Sequence, residues 1–232
     1  MQSLHGSSPE IGTGIYTIAD AARILRLDGS KLRRWAKNYW TCKHSPDSEL
    51  VRPAEVWFRK SHSAIGFHTM IELFTISALR DLGVSLHTVR KARDEMVNRL
   101  RLSFPLAHKG LLSDGKKLLF ELKEADSRIA LELDMSGQTA FLDIVEPFCT
   151  RIEFSQETQL AERYWPLGRE KSVVVDPHHS FGQPVIDGTN TTTQALFELY
   201  QSGESFEDLA GLYDIPATSV GDAVFFERRT CA

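Results

Sequence analysis

The chain has 232 residues, of which 42% are hydrophobic and 25% charged, a composition typical of folded proteins. It has no apolar run of about 18 residues or more, which excludes a membrane-spanning helix. The N-terminal MQSLHGSSPEIGTG lacks the basic and apolar parts of a secretion signal. The three cysteines (Cys42, Cys149 and Cys231) fit neither a disulfide framework nor a zinc site. We therefore expect a cytoplasmic protein.

Charge is distributed unevenly along the chain. Residues 1–104 hold 16 Lys and Arg against 10 Asp and Glu, a net charge of +6, whereas residues 105–232 hold 11 against 21, a net charge of −10. A basic first part indicates an anionic partner, for which nucleic acid is the obvious candidate. The acidic remainder indicates a different partner.

The first local signal, in chain order, is YTIADAARILRLDGSKLRRWAKN, residues 16–38. Thr17 and Asp20 have the spacing of a capping box, which predicts the start of a helix. Leu27-Asp28-Gly29 is predicted to make a short turn, in which Gly29 can adopt a positive φ, and Ser30 is predicted to cap a second helix.

The second helix is predicted to be apolar inside and basic outside. Its inward residues are Leu32, Trp35 and Ala36. Its outward residues are Lys31, Arg33, Arg34, Lys37 and Asn38. Two short helices joined by a tight turn, with a basic second helix, are typical of the helix-turn-helix.

This segment resembles the start of a MerR-type winged helix-turn-helix domain. GFHTMIELFTISALRDLGVSLHTVRKARDEM, residues 66–96, is similar to the second half of that domain. Its first helix carries an apolar stripe (Met70, Leu73, Phe74, Ser77 and Leu79). Gly83 is predicted to end that helix, and Ser85 to cap the next one, which carries Val89 and Met96. Pro105 is predicted to stop the helical pattern soon after Leu102, so the long dimerisation helix of MerR activators is missing.

The resemblance implies where DNA binds. It implies that Arg33 and Arg34 face the DNA, with Lys31, Lys37 and Asn38 beside them. It also implies that VRPAEVWFRKSHS, residues 51–63, forms a wing that brings Arg52, Arg59 and Lys60 near phosphates. Arginine suits both tasks, because its guanidinium forks onto guanine edges or phosphate oxygens.

The middle segment is predicted to be a small α+β connector. KKLLFELK and RIALELD indicate a hairpin, residues 140–149 a helix, and RIEF, LAERYW and SVVVD further strands. The segment contains no nucleotide-binding loop and no Cys or His cluster with metal-ligand spacing.

The C-terminal segment is predicted to form three helices of helix-turn-helix shape. Thr193 begins the first helix and Gly203 ends it, while Ser205 and Asp208 cap the second. The third helix follows the turn at Ile215-Pro216. It shows Thr218, Ser219, Gly221 and Asp222 where a DNA-reading helix would show Arg and Lys. The acidic second helix (Glu204, Glu207 and Asp208) would be repelled by phosphate, so charge argues against DNA binding here.

The string PHHSFGQPVIDGTNT followed by GESFEDLAGLY resembles a domain-of-unknown-function family that occurs in VapB-type antitoxins of VapBC-like toxin–antitoxin modules. The resemblance covers about residues 173–229. It implies that the protein represses its own operon and neutralises a PIN-type ribonuclease encoded beside it.

The loop of residues 176–191 leaves three interpretations open. As an active site, it would use His178 or His179 as a base or a metal ligand. Neighbouring histidines on an extended chain point to opposite sides, however, so both rarely serve one site. As a scaffold, its glycines and prolines would hold the connector against the three-helix unit. As a surface, its polar side chains would bind a partner or a second copy.

The end of the third helix, FFERR, also has two interpretations. In the first, Phe225 and Phe226 are core or dimer contacts. In the second, the end of the helix binds a partner through Phe225, Phe226, Arg228 and Arg229. In the second case Arg228 or Arg229 would reach the carboxylates of a PIN-type nuclease.

The sequence thus predicts an α+β protein: an N-terminal MerR-like winged helix-turn-helix, a small β-rich connector and a C-terminal three-helix unit. The predicted boundaries are 1–14 for a flexible lead-in, 15–104, 105–172 and 173–232. We expect a non-enzymatic antitoxin that binds operator DNA and a toxin as a homodimer, with no catalytic residue, metal or cofactor. The alternatives are a ligand-responsive MerR-like regulator without a toxin, an enzyme that uses the 176–191 loop, and a DNA-binding subunit of a recombinase.

Overall fold

The computed structural model describes residues 12, 14–39, 55–59, 62–81, 84–100, 102–109 and 149–228. The N-terminal part contains β1 (Tyr16–Thr17), α1 (Ile18–Leu25), α2 (Gly29–Tyr39), β2 (Val56–Arg59), β3 (His62–Ile65), α3 (Phe67–Asp81) and α4 (Leu86–Leu100). The three strands form one antiparallel sheet in the order β1-β3-β2. Within the described part of the chain, no helix is long and apolar enough to cross a membrane.

The start of α1 confirms the predicted capping box. The Thr17 hydroxyl accepts a hydrogen bond from the Asp20 backbone N–H at 3.1 Å, and the Asp20 carboxylate accepts one from the Thr17 N–H at 3.2 Å. Leu27 and Asp28 lie in the predicted turn between α1 and α2, but the left-handed residue is Arg26, with φ 58°, and Gly29 already belongs to α2. The predicted Ser30 cap is also wrong: the Asp28 carboxylate accepts the Lys31 N–H at 2.8 Å.

Helix α3 is the central helix of the N-terminal part. It is buried on nearly all sides, whereas the sequence predicted a single apolar stripe on one side. Glu72 is fully buried, 3.4 Å from the Arg93 Nε on α4, and its carboxylate accepts the Leu106 N–H at 3.2 Å. Leu106 lies in a short 3₁₀ turn, Pro105–Ala107, which follows α4 and confirms the predicted stop. The predicted end at Gly83 lies outside the described residues.

The C-terminal part is a sheet covered by three helices. It contains β4 (Ile152–Phe154), β5 (Ala161–Tyr164), β6 (Val173–Val175), β7 (Pro184–Ile186), α5 (Thr193–Gln201), α6 (Phe206–Tyr213) and α7 (Ala217–Arg228). The strands form one antiparallel sheet in the order β4-β5-β6-β7. Helix α7 packs on α5, α6 and the sheet through the buried residues Val220, Val224 and Phe226.

Several predictions for the C-terminal part are confirmed, including the RIEF, LAERYW and SVVVD strands and the Ser205 cap of α6. The 176–191 run is not all loop, since it contains a 3₁₀ turn (Ser180–Gly182) and strand β7. The predicted boundary at residue 172 falls between β5 and β6 of one sheet. The predicted hairpin and most of the predicted 140–149 helix lie outside the described residues.

Candidate nucleic-acid interface

Helix α2 presents a basic face to solvent. Leu32, Trp35 and Ala36 are buried and fix one side of the helix against the core, whereas Lys31, Arg33 and Arg34 are exposed. Because the buried residues define which side faces inward, the three cations must face outward. A helix held in this way can bring its cations to a polyanion without rearranging the core.

The other predicted DNA-binding residues are only partly described. Lys37 and Asn38 belong to α2, and Arg59 is the last residue of β2, where its backbone pairs with His62. Their side-chain positions lie outside the described part, as do Arg52 and Lys60 altogether. Within the segment predicted to form a wing, residues 56–59 form β2, which pairs with β3.

The β2–β3 hairpin is attached to α3 at its base. The Glu55 carbonyl accepts the Gly66 N–H at 2.8 Å, and the Glu55 carboxylate lies 3.2 Å from His68 Nδ1. The His68 ring stacks on Phe104, with 4.9 Å between the ring centroids. A side chain at Gly66 would collide with Glu55, so this close approach requires glycine. The hairpin therefore has a fixed direction relative to α3.

The N-terminal and C-terminal parts meet at a contact that we call the seam, formed by Arg23 on α1 and Glu227 on α7. The Arg23 guanidinium donates to the Glu227 carboxylate at 2.6 Å, and the Thr193 hydroxyl donates to the same carboxylate at 2.5 Å. Arg23 also lies over the Phe226 ring, 5.8 Å from its centroid. The side chain of Glu227 is only 6% exposed, so these two donors stabilise a carboxylate that water hardly reaches. The seam thus joins α7 to the helix that precedes α2.

The 176–183 run forms the second half of this contact. The Ile15 N–H donates to the Phe181 carbonyl at 3.4 Å, and the buried Tyr16 hydroxyl lies against Gly14 and Gly182, whose φ values are 62° and 82°. Burial, followed by the nearby Asp176 and Glu55 carboxylates, raises the pKa of Tyr16. A cavity of about 110 Å³ lies between the two parts and is lined by Tyr16, Arg23 and Glu227 among others. The loop therefore packs against the helix-turn-helix.

The two histidines of the loop share one carboxylate. Nδ1 of His178 lies 3.4 Å from one Asp176 oxygen, and Nδ1 of His179 lies 2.9 Å from the other. The expectation that they point apart is wrong, because a turn in which the His179 N–H donates to the Asp176 carbonyl replaces the extended chain. Among the described residues, no group of three or more His, Cys, Asp or Glu is placed to hold a metal ion.

The predicted partner-binding residues at the end of α7 are in different environments. Phe226 is fully buried, as expected of a core contact, and is out of a partner's reach in this packing. Phe225 is 50% exposed. Arg228 donates to the Tyr200 hydroxyl at 2.8 Å and stacks over the same ring. Arg229 lies outside the described residues.

The side of α7 that a DNA reader would present is used for packing. Asp222 accepts from Lys171 Nζ at 2.9 Å and from the Ser172 N–H at 3.0 Å. Ser219 is buried and donates to the Ser172 hydroxyl at 2.9 Å. These contacts hold α7 against the start of β6, so Ser219 and Asp222 are not available to a DNA groove.

Sequence patterns gave no sign of the seam. Arg23 and Glu227 are separated by 204 positions, and each occupies a helical site where an exposed charge is ordinary. Phe181 was also missed as a special position. It is 82% exposed and lies in a run of three left-handed residues, with φ 46° at Ser180, 56° at Phe181 and 82° at Gly182. Only Gly182 carried a local signal for such a conformation.

Two known families match separate segments of the chain. Residues 14–93 match the family described as "Putative DNA-binding HTH domain". Residues 173–226 match the family described as "Protein of unknown function (DUF433)". The N-terminal part of the chain is thus similar to a DNA-binding helix-turn-helix family, and the C-terminal part is similar to a family without an assigned activity.

Individual relatives extend over almost the whole chain. This chain is 25% identical over 221 residues to "Putative antitoxin VapB45" of Mycobacterium tuberculosis, and the match covers 90% of this chain and 92% of that protein. It is 21% identical over 229 residues to "Uncharacterized protein Rv2308" of the same organism, covering 93% and 90%. The crystal structure of Rv2018 from M. tuberculosis has the same fold, with a TM-score of 0.66 at 22% identity, over 90% of this chain and 96% of that one. These similarities support an antitoxin-like protein that carries a DNA-binding helix-turn-helix.

Proposed function

We propose that the protein is a DNA-binding antitoxin that represses its own operon and neutralises a PIN-type ribonuclease toxin by direct binding. The observation that carries the DNA-binding half is the exposed basic face of α2 above buried Leu32, Trp35 and Ala36. The similarity to a protein named as an antitoxin supports the other half.

The basic face explains how the helix would engage DNA. Arg33 and Arg34 would contact base edges or phosphates, and Lys31 would contact phosphate. In this proposal Lys37 and Asn38 extend the same face, and the β2–β3 hairpin acts as a MerR-like wing through Arg52, Arg59 and Lys60. A homodimer would place two α2 helices on two half-sites of a symmetric operator.

The C-terminal unit would bind the toxin. It adds no basic face of its own to the DNA interface, since the polar side of α7 packs on β6. Phe225 and Arg228 are exposed at the end of α7 and remain candidates for the toxin contact, together with Arg229. No step of this function requires catalysis, so the protein would act by occupying its partners.

The DNA-binding half is tested with the double variant Arg33→Ala/Arg34→Ala and the DNA immediately upstream of the protein's own gene. We expect its affinity to fall by about 100-fold, since each arginine contact contributes about 1–3 kcal/mol. If both arginines bind phosphate, the slope of log K against log salt should also fall by about 2. An unchanged affinity would refute the assignment of α2.

The antitoxin half is tested by co-purifying the protein with the product of the adjacent gene. Arg33→Ala/Arg34→Ala should keep that product bound, because α2 lies in the other part of the molecule. The matched control is Arg228→Ala, which also removes an exposed arginine but should leave DNA binding unchanged. Equal loss of DNA and protein binding in the α2 variant would contradict two separate modules.

A further inference from the structure

The C-terminal unit has a one-sided charge composition. Between residues 172 and 227 the chain has nine Asp and Glu and no Lys or Arg. Asp187, Asp222 and Glu227 pair with cations from other segments, namely Arg163, Lys171 and Arg23. Asp176 is also close to Arg163, 3.5 Å from its Nε. These four carboxylates are therefore largely neutralised within the fold.

The other five carboxylates have no such partner. They are Glu198, Glu204, Glu207, Asp208 and Asp214, all exposed on α5, on α6 or beside them. Within the described part of the chain, none of the five forms an ion pair. Their negative potential is therefore directed to solvent and would attract a cationic surface over a distance of about one Debye length, ~8 Å at physiological salt.

An apolar side chain lies on this acidic surface. Leu212 on α6 is 70% exposed and lies one helical turn from Asp208. Its neighbour Gly211 has nothing within 4 Å of the position where a side chain would start, so the surface beside Leu212 is open. We call Glu204, Glu207, Asp208, Gly211 and Leu212 the α6 face. An apolar centre with a charged rim is the common anatomy of a protein-binding surface.

The α6 face is also rigid. The Ser205 hydroxyl accepts the Asp208 N–H at 3.1 Å at the start of the helix, and the Asp214 N–H donates to the Ala210 carbonyl at its end. Leu209 is buried on the opposite side. A partner therefore meets a preformed helix and does not have to order it, which lowers the entropic cost of binding.

We propose that the α6 face docks in the basic, RNA-binding groove of the ribonuclease toxin, with Leu212 as the central apolar contact. The proposal rests on the proposed function, and it names the surface and the chemistry of the toxin contact. An enzyme that holds a polyanion needs a cationic groove, and the three carboxylates of the α6 face match that groove in sign. Nucleic acid itself is excluded as the occupant of the α6 face, because phosphate would be repelled. Neutralisation then follows from competition between the α6 face and RNA for one groove.

Two variants of the full-length protein test the α6 face. Leu212→Ala removes the apolar centre, and Glu204→Lys/Glu207→Lys reverses two rim charges. The matched control is Glu157→Lys/Glu162→Lys, which reverses two exposed glutamates on the β4–β5 hairpin, outside the α6 face. Thermal melts of all the variants check that each one is folded.

The probe is the purified product of the adjacent gene. Its affinity for each variant is measured by titration, and displacement of a labelled single-stranded RNA oligonucleotide from it is followed in parallel. Binding of each variant to the upstream DNA is measured separately.

We expect each α6 variant to bind the adjacent-gene product at least about tenfold more weakly than the wild type. Each should displace RNA correspondingly poorly and should bind DNA within about twofold of the wild type. The control should match the wild type in all three measurements. Added salt should weaken the wild-type complex more than that of the charge-reversed variant.

Each contrary result has a distinct meaning. If the adjacent-gene product binds all the variants equally, the α6 face is refuted while the antitoxin function stands. If that product does not bind the wild type at all, the toxin-binding half of the proposed function fails, and the α6 proposal fails with it. Salt-sensitive self-association that Leu212→Ala abolishes would instead identify the α2 face of a second copy as the occupant, which overturns the toxin assignment.

Discussion

The seam allows a stability prediction that depends on which charge is left behind. Arg23→Met removes the guanidinium that donates to the Glu227 carboxylate and leaves that carboxylate only 6% exposed, with the Thr193 hydroxyl donating to its other oxygen. Glu227→Gln does the reverse and leaves the charge on Arg23, whose side chain is 26% exposed and open to water. Arg23→Met should therefore lower the free energy of unfolding more than Glu227→Gln does, although both changes break the same ion pair.

The magnitudes follow from the burial of each partner. Removing one partner of a fully buried pair costs about 3–5 kcal/mol. Because Arg23 is partly exposed, water reaches the pair, and we expect Arg23→Met to cost about 2–3 kcal/mol after that discount. Glu227→Gln keeps a polar group for Thr193 and should cost about 1 kcal/mol. Since 1 kcal/mol corresponds to roughly 2–4 °C in a chain of this size, Arg23→Met should lower the Tm by about 8 °C.

The assay is urea unfolding followed by the fluorescence of buried Trp35 and Trp165. The control is Arg33→Met, which removes an exposed arginine and should change the free energy of unfolding by less than about 0.5 kcal/mol. The double variant Arg23→Met/Glu227→Gln should cost less than the sum of the single changes. The explanation is wrong if Arg23→Met costs no more than Arg33→Met, or if Glu227→Gln is the more destabilising change.

Three further predictions concern glycine and tyrosine positions. Gly182→Ala should destabilise far more than Gly188→Ala in thermal melts, since both have positive φ but only the Gly182 side chain would collide with the Tyr16 hydroxyl. Tyr16→Phe should leave the Tm unchanged or raised, because the buried hydroxyl has no hydrogen-bond partner in the described structure. Burial raises the pKa of Tyr164 from 10.0 to about 12. The neutral Tyr164 hydroxyl therefore makes its full contribution to the free energy of unfolding below pH 10, and this contribution is lost as the pH rises towards 12. Urea midpoints measured across this pH range should therefore fall less in Tyr164→Phe than in the wild type.

Local signals in the sequence predicted many element boundaries, because their causes lie within a few residues. The capping box at Thr17 and the cap at Ser205 each bond within one helical turn, so the sequence is enough to locate them. Pro105 acts through its own missing N–H and fixed φ. The outward face of α2 was predictable for the same reason, since helical periodicity alone separates Lys31 and Arg33 from the buried side.

Predictions failed where the chain departs from the regular geometry that was assumed. The turn after α1 was expected at Leu27-Asp28-Gly29, with Gly29 able to adopt a positive φ, but the left-handed residue is Arg26. It directly follows the end of α1 at Leu25, and its N–H donates to the Ala22 carbonyl. His178 and His179 were expected to diverge because the chain was taken as extended. A turn closed onto Asp176 brings both rings to one carboxylate. The seam was beyond local inference altogether, because its ion pair joins the two ends of the chain.

The seam bears on how the two proposed activities relate. Helix α6 packs on α7, the last turn of α7 holds Glu227, and Glu227 holds Arg23 on α1, against which α2 packs. Toxin on the α6 face and DNA on α2 would thus act on two ends of one series of packed helices. If toxin binding changes the DNA affinity by some factor, DNA must change the toxin affinity by the same factor. Arg23→Met should abolish that mutual effect while keeping each separate affinity, because it cuts the ion pair without altering either face. A coupling that survives this variant would have to run through the packing of the 176–183 run on Tyr16 instead.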